Sequence, residues 1–466
     1  MQKPCHTYLL PIGGTATAAL AGLLHEAGER VSGVDAVLYP PTSELLAELG
    51  IPARLGFDPA GIPADVDRVI IGNAVPRNNV EVQAVLARGM PYTSQAAAFG
   101  ERFCRGARSI VVAGTHGKTT TTALTAHILI AAGLDPTVMV GGVPVGGRPW
   151  RLGHGGWTVV EGDEYNTAFF DRGPKFMHYA PHLFVVHNIE FDHGDIYPDL
   201  AAIMAAFRAG TAQLGPSGRL LANRDDPNAR EIAQGDSRTI WYGRDPRSDL
   251  RCTNWSAGPE GLTAEVVWQG SAFQVSLPQV GAHNLSNLLA AVTAALAAGI
   301  APNAAAAGAR SFPGVRRRLE VIGEVEGITV VDDFAHHPTA IALTLDGARQ
   351  RFPGRRLVVV FEPRSLTAGR ALFTDDYIVA LTRADVAFLA PVFHRRRLPA
   401  EDQLDRIHVA QALSAGDTDA IALDDDTDPL SAILAVTRPG DVVVLMSSGD
   451  FGDLPRRLLA ALQEGS

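Results

Sequence analysis

One stretch of this chain constrains its fold more than any other, the segment from residue 108 to residue 132. It begins with an apolar run, RSIVVAG (108–114), which predicts a buried strand. The glycine-rich turn GTHGKTTT (114–121) follows, and 118–132 has the spacing of a helix. Loop and helix N–H groups in such an arrangement face an anion, which the lysine neutralises. The segment therefore predicts a phosphate-binding loop at the end of a strand in an α/β sheet.

The lysine of this loop is unusual in the chain. Lysine occurs only at Lys3, Lys118 and Lys175, whereas lysine and arginine together number 40. Arginine supplies the other cations, so a lysine kept in a glycine-rich loop indicates a need for a compact ammonium group. The common pattern GxxxxGK[ST] is not matched, because Val112 stands at the position of its first glycine. A plain glycine turn with a surface lysine is the alternative interpretation.

The length and the order of apolar runs predict the domain organisation. A chain of 466 residues corresponds to about three domains at roughly 100 to 200 residues each. Strand-like and helix-like runs alternate throughout, and Pro and Gly interrupt the charged run RSFPGVRRR (310–318). We predict an α/β protein with three consecutive domains, at 1–107, 108–312 and 313–466. The first and third are expected to be Rossmann-like, and the second a P-loop ATPase-type parallel sheet.

The N-terminal segment predicts a nucleotide fold less specifically. TYLLPIGG (7–14) predicts a strand with a glycine turn, 15–28 a helix, and VSGVD (31–35) a second strand ending in an acid. An acidic residue about 20 positions after the glycines is typical of dinucleotide folds. However, IGGTATA is not a complete GxGxxG, so a plain glycine turn remains an alternative.

Charge and cysteine content exclude several classes of function. The formal charge of −10 shows no cationic footprint for nucleic acid. Cys5, Cys104 and Cys252 are far apart and predict neither a disulfide framework nor a zinc site. The N-terminus MQKPCHTYLLPIGG lacks a signal-peptide core, and no apolar run approaches the ~20 residues that span a bilayer. We therefore expect a cytoplasmic protein with no membrane or nucleic-acid partner.

Six motifs in order resemble those of one family over nearly the whole chain. GTHGKTTT is similar to the ATP-binding loop of the Mur ligases, the cytosolic ATP-dependent amide-forming ligases of peptidoglycan synthesis and recycling. The motifs that follow it are VVEGDEYNTAFFD (159–171), HNIEFDHGDIY (187–197), GAHNLSNLLAA (281–291), GVRRRLE (314–320) and VVDDFAHHPTA (330–340). The resemblance implies that the first domain binds a UDP-sugar, the second ATP and the third the acceptor.

Four segments narrow the expected substrate. They are similar to the family members that use a murein tripeptide, and they are DAVLYPPTSELLAELGI (35–51), IIGNAVPRNN (70–79), GDEYNTAFFDRGPKFMHY (162–179) and FEPRSLT (361–367). Members that add L-alanine usually have FQPHRYTR in place of the last segment. The resemblance implies that UDP-N-acetylmuramate is joined through an acyl phosphate to L-alanyl-γ-D-glutamyl-meso-diaminopimelate. L-alanine is the alternative acceptor.

The resemblance also implies ATP and Mg²⁺ as cofactors and assigns their residues. The expected ATP-binding residues are Gly114, Thr115, His116, Gly117, Lys118, Thr119, Thr120, Asn284, Arg318, Asp333 and His337. The expected metal ligands are Thr119, Glu161 and His193, and the expected catalytic residues are Lys118, His193 and Arg318.

Each of these residues also has an ordinary structural interpretation. Without the resemblance, Glu161 is a common acid at a strand end, and His193 is one of 14 histidines. Asn284 stands at a helix start, where an N-cap asparagine is frequent, and His337 is as well explained as a structural histidine.

The outer domains carry the remaining expected contacts. Gly14, Thr15, Asp35 and Asn73 are expected to bind the UDP-sugar. Arg364 follows the strand RLVVVFEP, and a guanidinium at such a strand end can clamp a tripeptide carboxylate. The run of arginines at 395–397 either adds charge near that site or forms a solvated surface.

One family feature is missing, and three alternatives remain. Several family members carry a carbamylated lysine after the histidine motif, but this chain has no lysine after Lys175. Besides the L-alanine ligase, the alternatives are a remote relative such as folylpolyglutamate or cyanophycin synthetase, and a nucleotide-sugar-binding protein without turnover. The first-domain motifs argue against the remote relatives, and the intact residues Lys118, Thr119, Glu161 and His193 argue against a binding protein.

Overall fold

The computed structural model describes residues 4–192, 194, 196–425 and 427–465. The strands, numbered in chain order, are β1 (His6–Leu10), β2 (Arg30–Asp35), β3 (Ala53–Leu55), β4 (Arg68–Ile71), β5 (Tyr92–Ser94), β6 (Arg108–Ala113), β7 (Thr137–Met139), β8 (Trp150–Arg151), β9 (Trp157–Gly162), β10 (Asn166–Ala168), β11 (Asp171–Pro174), β12 (Pro181–Val186), β13 (Arg219–Asn223), β14 (Thr239–Gly243), β15 (Leu250–Gly258), β16 (Gly261–Trp268), β17 (Ser271–Leu277), β18 (Glu320–Val325), β19 (Ile328–Asp333), β20 (Leu357–Phe361), β21 (Val386–Leu389), β22 (Asp419–Ala422) and β23 (Val442–Met446).

The α-helices alternate with these strands. They are α1 (Thr15–Glu26), α2 (Thr42–Glu48), α3 (Val80–Ala87), α4 (Gln95–Phe99), α5 (Lys118–Ala131), α6 (Leu200–Thr211), α7 (Pro227–Ala233), α8 (Ala282–Ala297), α9 (Pro302–Arg310), α10 (Pro338–Arg351), α11 (Thr374–Leu381), α12 (Arg406–Ser414), α13 (Pro429–Val436) and α14 (Leu454–Glu464). None of the helices in the described ranges is long and apolar enough to cross a membrane.

The N-terminal sheet has the strand order β3-β2-β1-β4-β5, and its strands pair in parallel. Strand β1 lies at its centre because HTYLL is buried along its whole length. The chain reverses between β1 and α1 at Gly13 and Gly14, which puts the start of the helix at the carboxyl end of the strand. Ligands bind at this edge in open α/β sheets.

The central sheet places the phosphate loop. Its order is β17-β16-β15-β14-β13-β12-β6-β9-β7-β8, so β6 lies between β12 and β9 and pairs in parallel with both. Ile110, Val111 and Val112 of β6 are completely buried. A strand that is apolar on both faces needs helices on both sides, which is why its sequence reads as a continuous hydrophobic run. The loop after β6 therefore leaves the middle of a rigid sheet.

The C-terminal sheet has the order β18-β19-β23-β20-β21-β22. Its inner strands are parallel, and the valine-rich β20 and β23 are fully buried. Edge strand β18 runs antiparallel to β19, as β8 does to β7 in the central sheet. The predicted parallel arrangement is confirmed for the strands that flank β6, and the antiparallel strands β8 and β18 are additions at the sheet edges.

The described residues form two compact units. Unit 1 contains 4–254 with its gaps, 264–275 and 286–313, and unit 2 contains 255–263, 276–285 and 314–465 with its gap. The prediction of three consecutive α/β domains is confirmed, with one large sheet for each. Unit 1 contains the first two of these sheets, and the predicted domain limits at 107/108 and 312/313 stay predictions. The three cysteines are not disulfide-bonded.

Candidate active site

At two positions of the phosphate loop, the backbone conformation and the close neighbours require glycine. Gly114 has φ +153° and Gly117 has φ +78°, and Gly117 caps the N-terminus of α5. A Cβ atom on Gly114 would lie 3.0 Å from the Cβ of His187, and one on Gly117 would overlap Oδ1 of Asn287. These two glycines let the chain turn within one short loop, and the predicted strand, loop and helix are confirmed.

The loop is held by the segment after β12. The N–H of His116 donates to Oδ1 of Asn188 at 2.7 Å, and Nδ2 of Asn188 donates to the His116 carbonyl at 3.0 Å. The Thr115 N–H donates to the Asn188 carbonyl at 2.9 Å, and the Glu190 N–H donates to Oγ1 of Thr115 at 2.9 Å. These four hydrogen bonds hold the backbone of the loop in place. Sequence analysis did not identify Asn188 and Glu190, although both belong to the motif HNIEFDHGDIY.

Lys118 begins α5 and its ammonium group is already engaged. Its Nζ donates to the Gly114 carbonyl at 2.7 Å and to the two carboxylate oxygens of Glu164 at 2.8 and 3.1 Å. Only 11% of the Lys118 side chain and 2% of the Glu164 side chain are exposed. Burial is the largest single influence and lowers the pKa of Lys118, but the carboxylates of Glu164, Asp163 and Glu161 together raise it above its usual value. Sequence analysis missed Glu164 as the partner of this lysine.

Glu161 and Thr119 face each other beside the loop. Oγ1 of Thr119 lies 3.1 Å from Oε2 of Glu161, and the Gly141 N–H donates to Oε1 of Glu161 at 2.5 Å. Both side chains are buried. Burial, followed by the nearby charge of Asp163, raises the pKa of Glu161 to about 7. The third predicted metal ligand, His193, lies outside the described residues.

The two acids that follow β9, Asp163 and Glu164, are each paired with a lysine. Asp163 pairs with Lys175 at 3.0 Å, and Glu164 pairs with Lys118. Burial acts in the opposite direction, but the ammonium groups of Lys175 and Lys118 hold the pKa of Asp163 below its usual range. The two lysines are therefore paired with Asp163 and Glu164, and the buried Glu161 faces the hydroxyl of Thr119. Carboxylate and hydroxyl oxygens are the ligands that Mg²⁺ prefers, so Glu161 and Thr119 fit such an ion.

Helix α5 is tied to the start of α8 through Asn287. Oγ1 of Thr121 lies 3.2 Å from Oδ1 of Asn287, the atom that also excludes a side chain at Gly117. Thr120, predicted to bind ATP, is buried in the first turn of α5. Sequence analysis chose Asn284 and missed Asn287, which belongs to the same motif three residues later.

The predicted UDP-sugar residues meet at one edge of the N-terminal sheet. Gly14 caps α1, and Thr15 is the first residue of that helix after β1. Asp35 ends β2, and Asn73 follows β4. The carboxylate of Asp35 accepts from the N–H groups of Gly13 at 2.8 Å and Ala36 at 2.7 Å, so it also fixes the glycine turn.

In unit 2, two of the predicted nucleotide residues lie next to the first two strands of the C-terminal sheet, with Arg318 shortly before β18 and Asp333 at the end of β19. The guanidinium of Arg318 lies 4.8 Å from the ring centre of Phe334. Asp333 accepts hydrogen bonds from the Leu319 N–H at 2.6 Å and the Ala335 N–H at 2.7 Å, so its carboxylate holds two backbone turns. Burial raises the pKa of Asp333.

Two further residues of this set lie in helical segments. His337 caps α10 and packs edge-on against Phe373, with the ring centres 5.0 Å apart. Asn284 lies inside the first turn of α8 rather than before it, and its Nδ2 donates to the Val280 carbonyl at 2.8 Å. The alternative that Asn284 is an N-cap is therefore wrong.

Arg364 follows β20, at the carboxyl end of a buried strand, as expected. Its NH1 lies 2.7 Å from Oδ1 of Asp450 and 3.5 Å from Oε2 of Glu362, and its guanidinium stacks 4.0 Å from the ring centre of Phe393. The three arginines at 395–397 form a turn with exposed side chains, and Arg395 pairs with Asp425. Their exposure favours the surface alternative.

Comparison with known families agrees with this architecture. Three family descriptions match successive parts of the chain, namely "Mur ligase family, catalytic domain" at 6–105, "Mur ligase middle domain" at 157–295 and "Mur ligase, glutamate ligase domain" at 317–449. The middle match begins after the phosphate loop, so the loop is an independent observation.

Individual relatives cover almost the whole chain. The UDP-N-acetylmuramate–L-alanyl-γ-D-glutamyl-meso-2,6-diaminoheptandioate ligase of Escherichia coli K12 is 37% identical, over 98% of both chains. The UDP-N-acetylmuramate–L-alanine ligase of Symbiobacterium thermophilum is 35% identical, over 99% of this chain and 96% of its own. The crystal structure of a murein peptide ligase from Psychrobacter arcticus 273-4 superposes with a TM-score of 0.76 at 32% identity, over 98% of both chains. On its sheets, its phosphate loop and these similarities, the chain belongs to the Mur ligase family.

Proposed function

We propose that this chain is an ATP-dependent ligase that joins UDP-N-acetylmuramate to the tripeptide L-alanyl-γ-D-glutamyl-meso-diaminopimelate. The observation that carries the proposal is the geometry of the phosphate loop, with Lys118 at the helix start and Thr119 facing Glu161. The similarity to the E. coli ligase that is named for these two substrates supports the choice of acceptor. The product is an amide, and ATP is consumed to ADP and phosphate.

The proposed reaction has two steps. A carboxylate oxygen of UDP-N-acetylmuramate attacks the γ-phosphorus of ATP, the bond to the bridging oxygen breaks, and ADP leaves. The amino group of the tripeptide then attacks the acyl carbon, phosphate leaves, and the amine loses a proton. The first step brings several negative charges together, so cations and N–H groups must compensate them. Lys118 and the N-terminus of α5 are the groups that provide this compensation.

The contacts of Lys118 suit this role. Its ammonium group lies against the carboxylate of Glu164 and the carbonyls of Gly114 and Thr115. A phosphate carries more charge than one carboxylate and would lie at the helix terminus, so it attracts the ammonium group strongly. We infer that these three neighbours hold the Lys118 side chain beside the position of the phosphates.

Mg²⁺ is part of the proposal. Thr119 and Glu161 would hold it, since both are buried oxygen donors beside the loop, and His193 is the third proposed ligand. When bound, such an ion would stabilise the negative charge that develops on the phosphate oxygens during the reaction. The proximity of the Thr119 hydroxyl and the Glu161 carboxylate supports this assignment. Because no lysine follows Lys175, the carbamylated lysine of some relatives has no counterpart in this chain.

The remaining residues are assigned by domain. We propose that residues 1–107 bind the UDP-sugar through Gly14, Thr15, Asp35 and Asn73. Residues 108–312 bind ATP with the phosphate loop, and Arg318, Asp333, His337 and Asn284 are further proposed ATP-binding residues. Residues 313–466 bind the acceptor, with Arg364 on a tripeptide carboxylate. Since ATP and UDP-sugars are cytoplasmic compounds, the proposed location is the cytoplasm.

L-alanine is the second candidate acceptor, and one comparison favours it. L-alanine ligases are also similar to this chain over nearly its full length, at 35% identity for the S. thermophilum protein. Against it stands FEPRS at 361–365, where Arg364 offers a guanidinium suited to an acceptor with several carboxylates.

The deciding experiment measures phosphate release from ATP by the purified protein with UDP-N-acetylmuramate and Mg²⁺. The acceptor is either the tripeptide or L-alanine, each tested over a range of concentrations. We expect kcat/KM to be higher with the tripeptide, and mass spectrometry to find the UDP-linked amide. A higher kcat/KM with L-alanine would make L-alanine the preferred acceptor and contradict the choice of the tripeptide. Absence of release with both acceptors would contradict the proposed function.

A further inference from the structure

A second buried lysine lies beside the proposed metal site. Lys175 is 6% exposed, and its Nζ donates to Oδ2 of Asp163 at 3.0 Å and to the hydroxyl of Tyr165 at 3.2 Å. The hydroxyl of Tyr165 donates to the same Asp163 oxygen at 2.8 Å, and the ammonium group lies 4.5 Å from the Tyr165 ring centre. The three side chains therefore bind one another, in a chain that contains lysine at only three positions.

The fold holds this cluster in register with the end of β9. Asp163 is the first residue after β9, and the antiparallel pair β10–β11 brings the chain back to Lys175. The backbone N–H of Lys175 donates to the Asp163 carbonyl at 2.9 Å, so backbone and side chain both bind the same residue. The position of the ammonium group is thus fixed relative to Glu161, which lies two residues before Asp163.

The charges of this region divide into pairs. Among the ion pairs of the described residues, Lys118 pairs with Glu164 and Lys175 pairs with Asp163, and neither a lysine nor an arginine pairs with Glu161. If Lys175 were neutral, Asp163 would retain only Lys118 as a nearby cation, because Lys118 already acts on it electrostatically. In a buried site such an attraction is strong, and it would compete with a phosphate for Lys118.

We propose that Lys175 is a positioning residue of the ligation reaction, which neutralises Asp163 and so keeps Lys118 available to the nucleotide phosphates. This inference rests on the role proposed above for Lys118. The proposed role requires no contact between Lys175 and the nucleotide or the metal. It differs from a lysine that only closes the hairpin, because its effect depends on the charge of Asp163.

The test uses four variants of the full chain and the binding of Mg²⁺–ADP by titration calorimetry. Lys175→Gln removes the charge and keeps a hydrogen-bonding side chain, and Lys175→Met also removes the hydrogen bonds. Lys175→Arg keeps the charge. The double variant Asp163→Asn with Lys175→Gln removes both charges. Circular dichroism and thermal unfolding show whether each variant is folded.

Changes in groups that position metal ligands typically cost about 10- to 100-fold in affinity, so we expect Lys175→Gln to weaken Mg²⁺–ADP binding at least about 10-fold. Lys175→Arg should retain most of the affinity, and the double variant should regain most of what Lys175→Gln loses. Unchanged binding in Lys175→Gln would overturn the inference, as would a double variant that binds no better than Lys175→Gln. If Lys175→Met does not fold, the comparison between Lys175→Gln and the double variant still decides.

The binding assay needs neither UDP-N-acetylmuramate nor the tripeptide. Failure of tripeptide ligation would therefore contradict the proposed acceptor without affecting this test. Conversely, an active ligase in which Lys175→Gln binds Mg²⁺–ADP normally would retain its proposed function and refute the role of Lys175. In steady-state kinetics, the expected change is a raised KM for ATP that the double variant reverses.

Discussion

The phosphate loop in unit 1 and the Arg364 loop in unit 2 occupy the same kind of position in their sheets, but different groups hold them in shape. Each begins at the carboxyl end of a buried parallel strand, β6 and β20, and each carries one cation held by an acid. In the phosphate loop, two glycines and a helix terminus supply the geometry. In the other loop, the side chains of Asp450, Glu362 and Phe393 orient Arg364.

From this difference we expect the phosphate loop to serve the chemical step and the Arg364 loop to determine which acceptor is used. The backbone of the phosphate loop is available to any phosphate, and a side chain at Gly117 would collide with Asn287. The Arg364 loop depends on individual side chains, so a single substitution can change which acceptor it favours. We therefore expect substitutions in the first loop to act on turnover with any acceptor, and those in the second to act on the acceptor alone.

The largest expected effect is that of Lys118→Ala on turnover. Removal of one preorganised charge at a site of developing negative charge commonly costs about 10²-fold or more in kcat. Single-turnover phosphate release should fall by this factor with either acceptor. Lys118→Arg should not restore it, since a planar guanidinium does not replace a compact ammonium group at this loop.

Binding of UDP-N-acetylmuramate, measured by calorimetry, serves as the control for folding of the Lys118 variants. It should stay near the value of the unmodified protein. A folded Lys118→Ala protein that keeps more than about half of its activity would contradict the role of this lysine.

The next effect is that of Arg364→Ala on the acceptor. Removing one partner of a hydrogen-bonded charge pair costs about 2 kcal/mol or more of binding free energy. We use this lower value because Arg364 is partly exposed. It corresponds to a roughly 30-fold rise in the KM for the tripeptide. The KM values for ATP and UDP-N-acetylmuramate should change little. Arg456→Ala, at an exposed arginine of α14 in the same unit, is the matched control and should leave all three unchanged. Equal tripeptide kinetics in the two variants would remove Arg364 from the acceptor site.

A smaller effect is expected from Asn287→Ala, which acts on the phosphate loop from α8. The substitution removes the partner of Thr121, and a hydrogen bond of this kind contributes about 1 kcal/mol, roughly fivefold in affinity. The KM for ATP should rise by this factor, and the tripeptide KM should not. If Asn287→Ala instead raised the KM of the acceptor, the two loops would not be separable in the way we describe.

The smallest effect is an absence of response to bicarbonate. Carbamylation requires an uncharged lysine amine after the histidine motif, and the last lysine of this chain is Lys175. Activity in buffer freed of CO₂ should equal that with added bicarbonate at the same pH and ionic strength. Activation by bicarbonate would mean that a carbamate forms elsewhere, and the ion pair of Lys175 with Asp163 would then need to be tested first.

The apolar runs of the sequence predicted many of the strands and helices, because a strand or helix is indicated by the spacing of apolar residues within its own segment. The runs ITVVDD and RSIVVAG became β19 (Ile328–Asp333) and β6 (Arg108–Ala113) with little change in their limits. The helix predicted at 118–132 is α5 (Lys118–Ala131). The antiparallel edge strands β8 and β18 could not be predicted in this way, since the direction of a strand depends on its neighbour and not on its own pattern.

The sequence alone determined the phosphate loop, because its glycines, lysine and helix start are consecutive and their geometry follows from the backbone. Only the tertiary structure decided which side chains complete it. Glu164 reaches Lys118 from 46 residues away, and Asn287 reaches Thr121 from 166 residues away. The pairing of Lys175 with Asp163 likewise depends on the β10–β11 hairpin. A buried charge is stable only beside its counter-charge, and that proximity arises when the strands pair and the core closes.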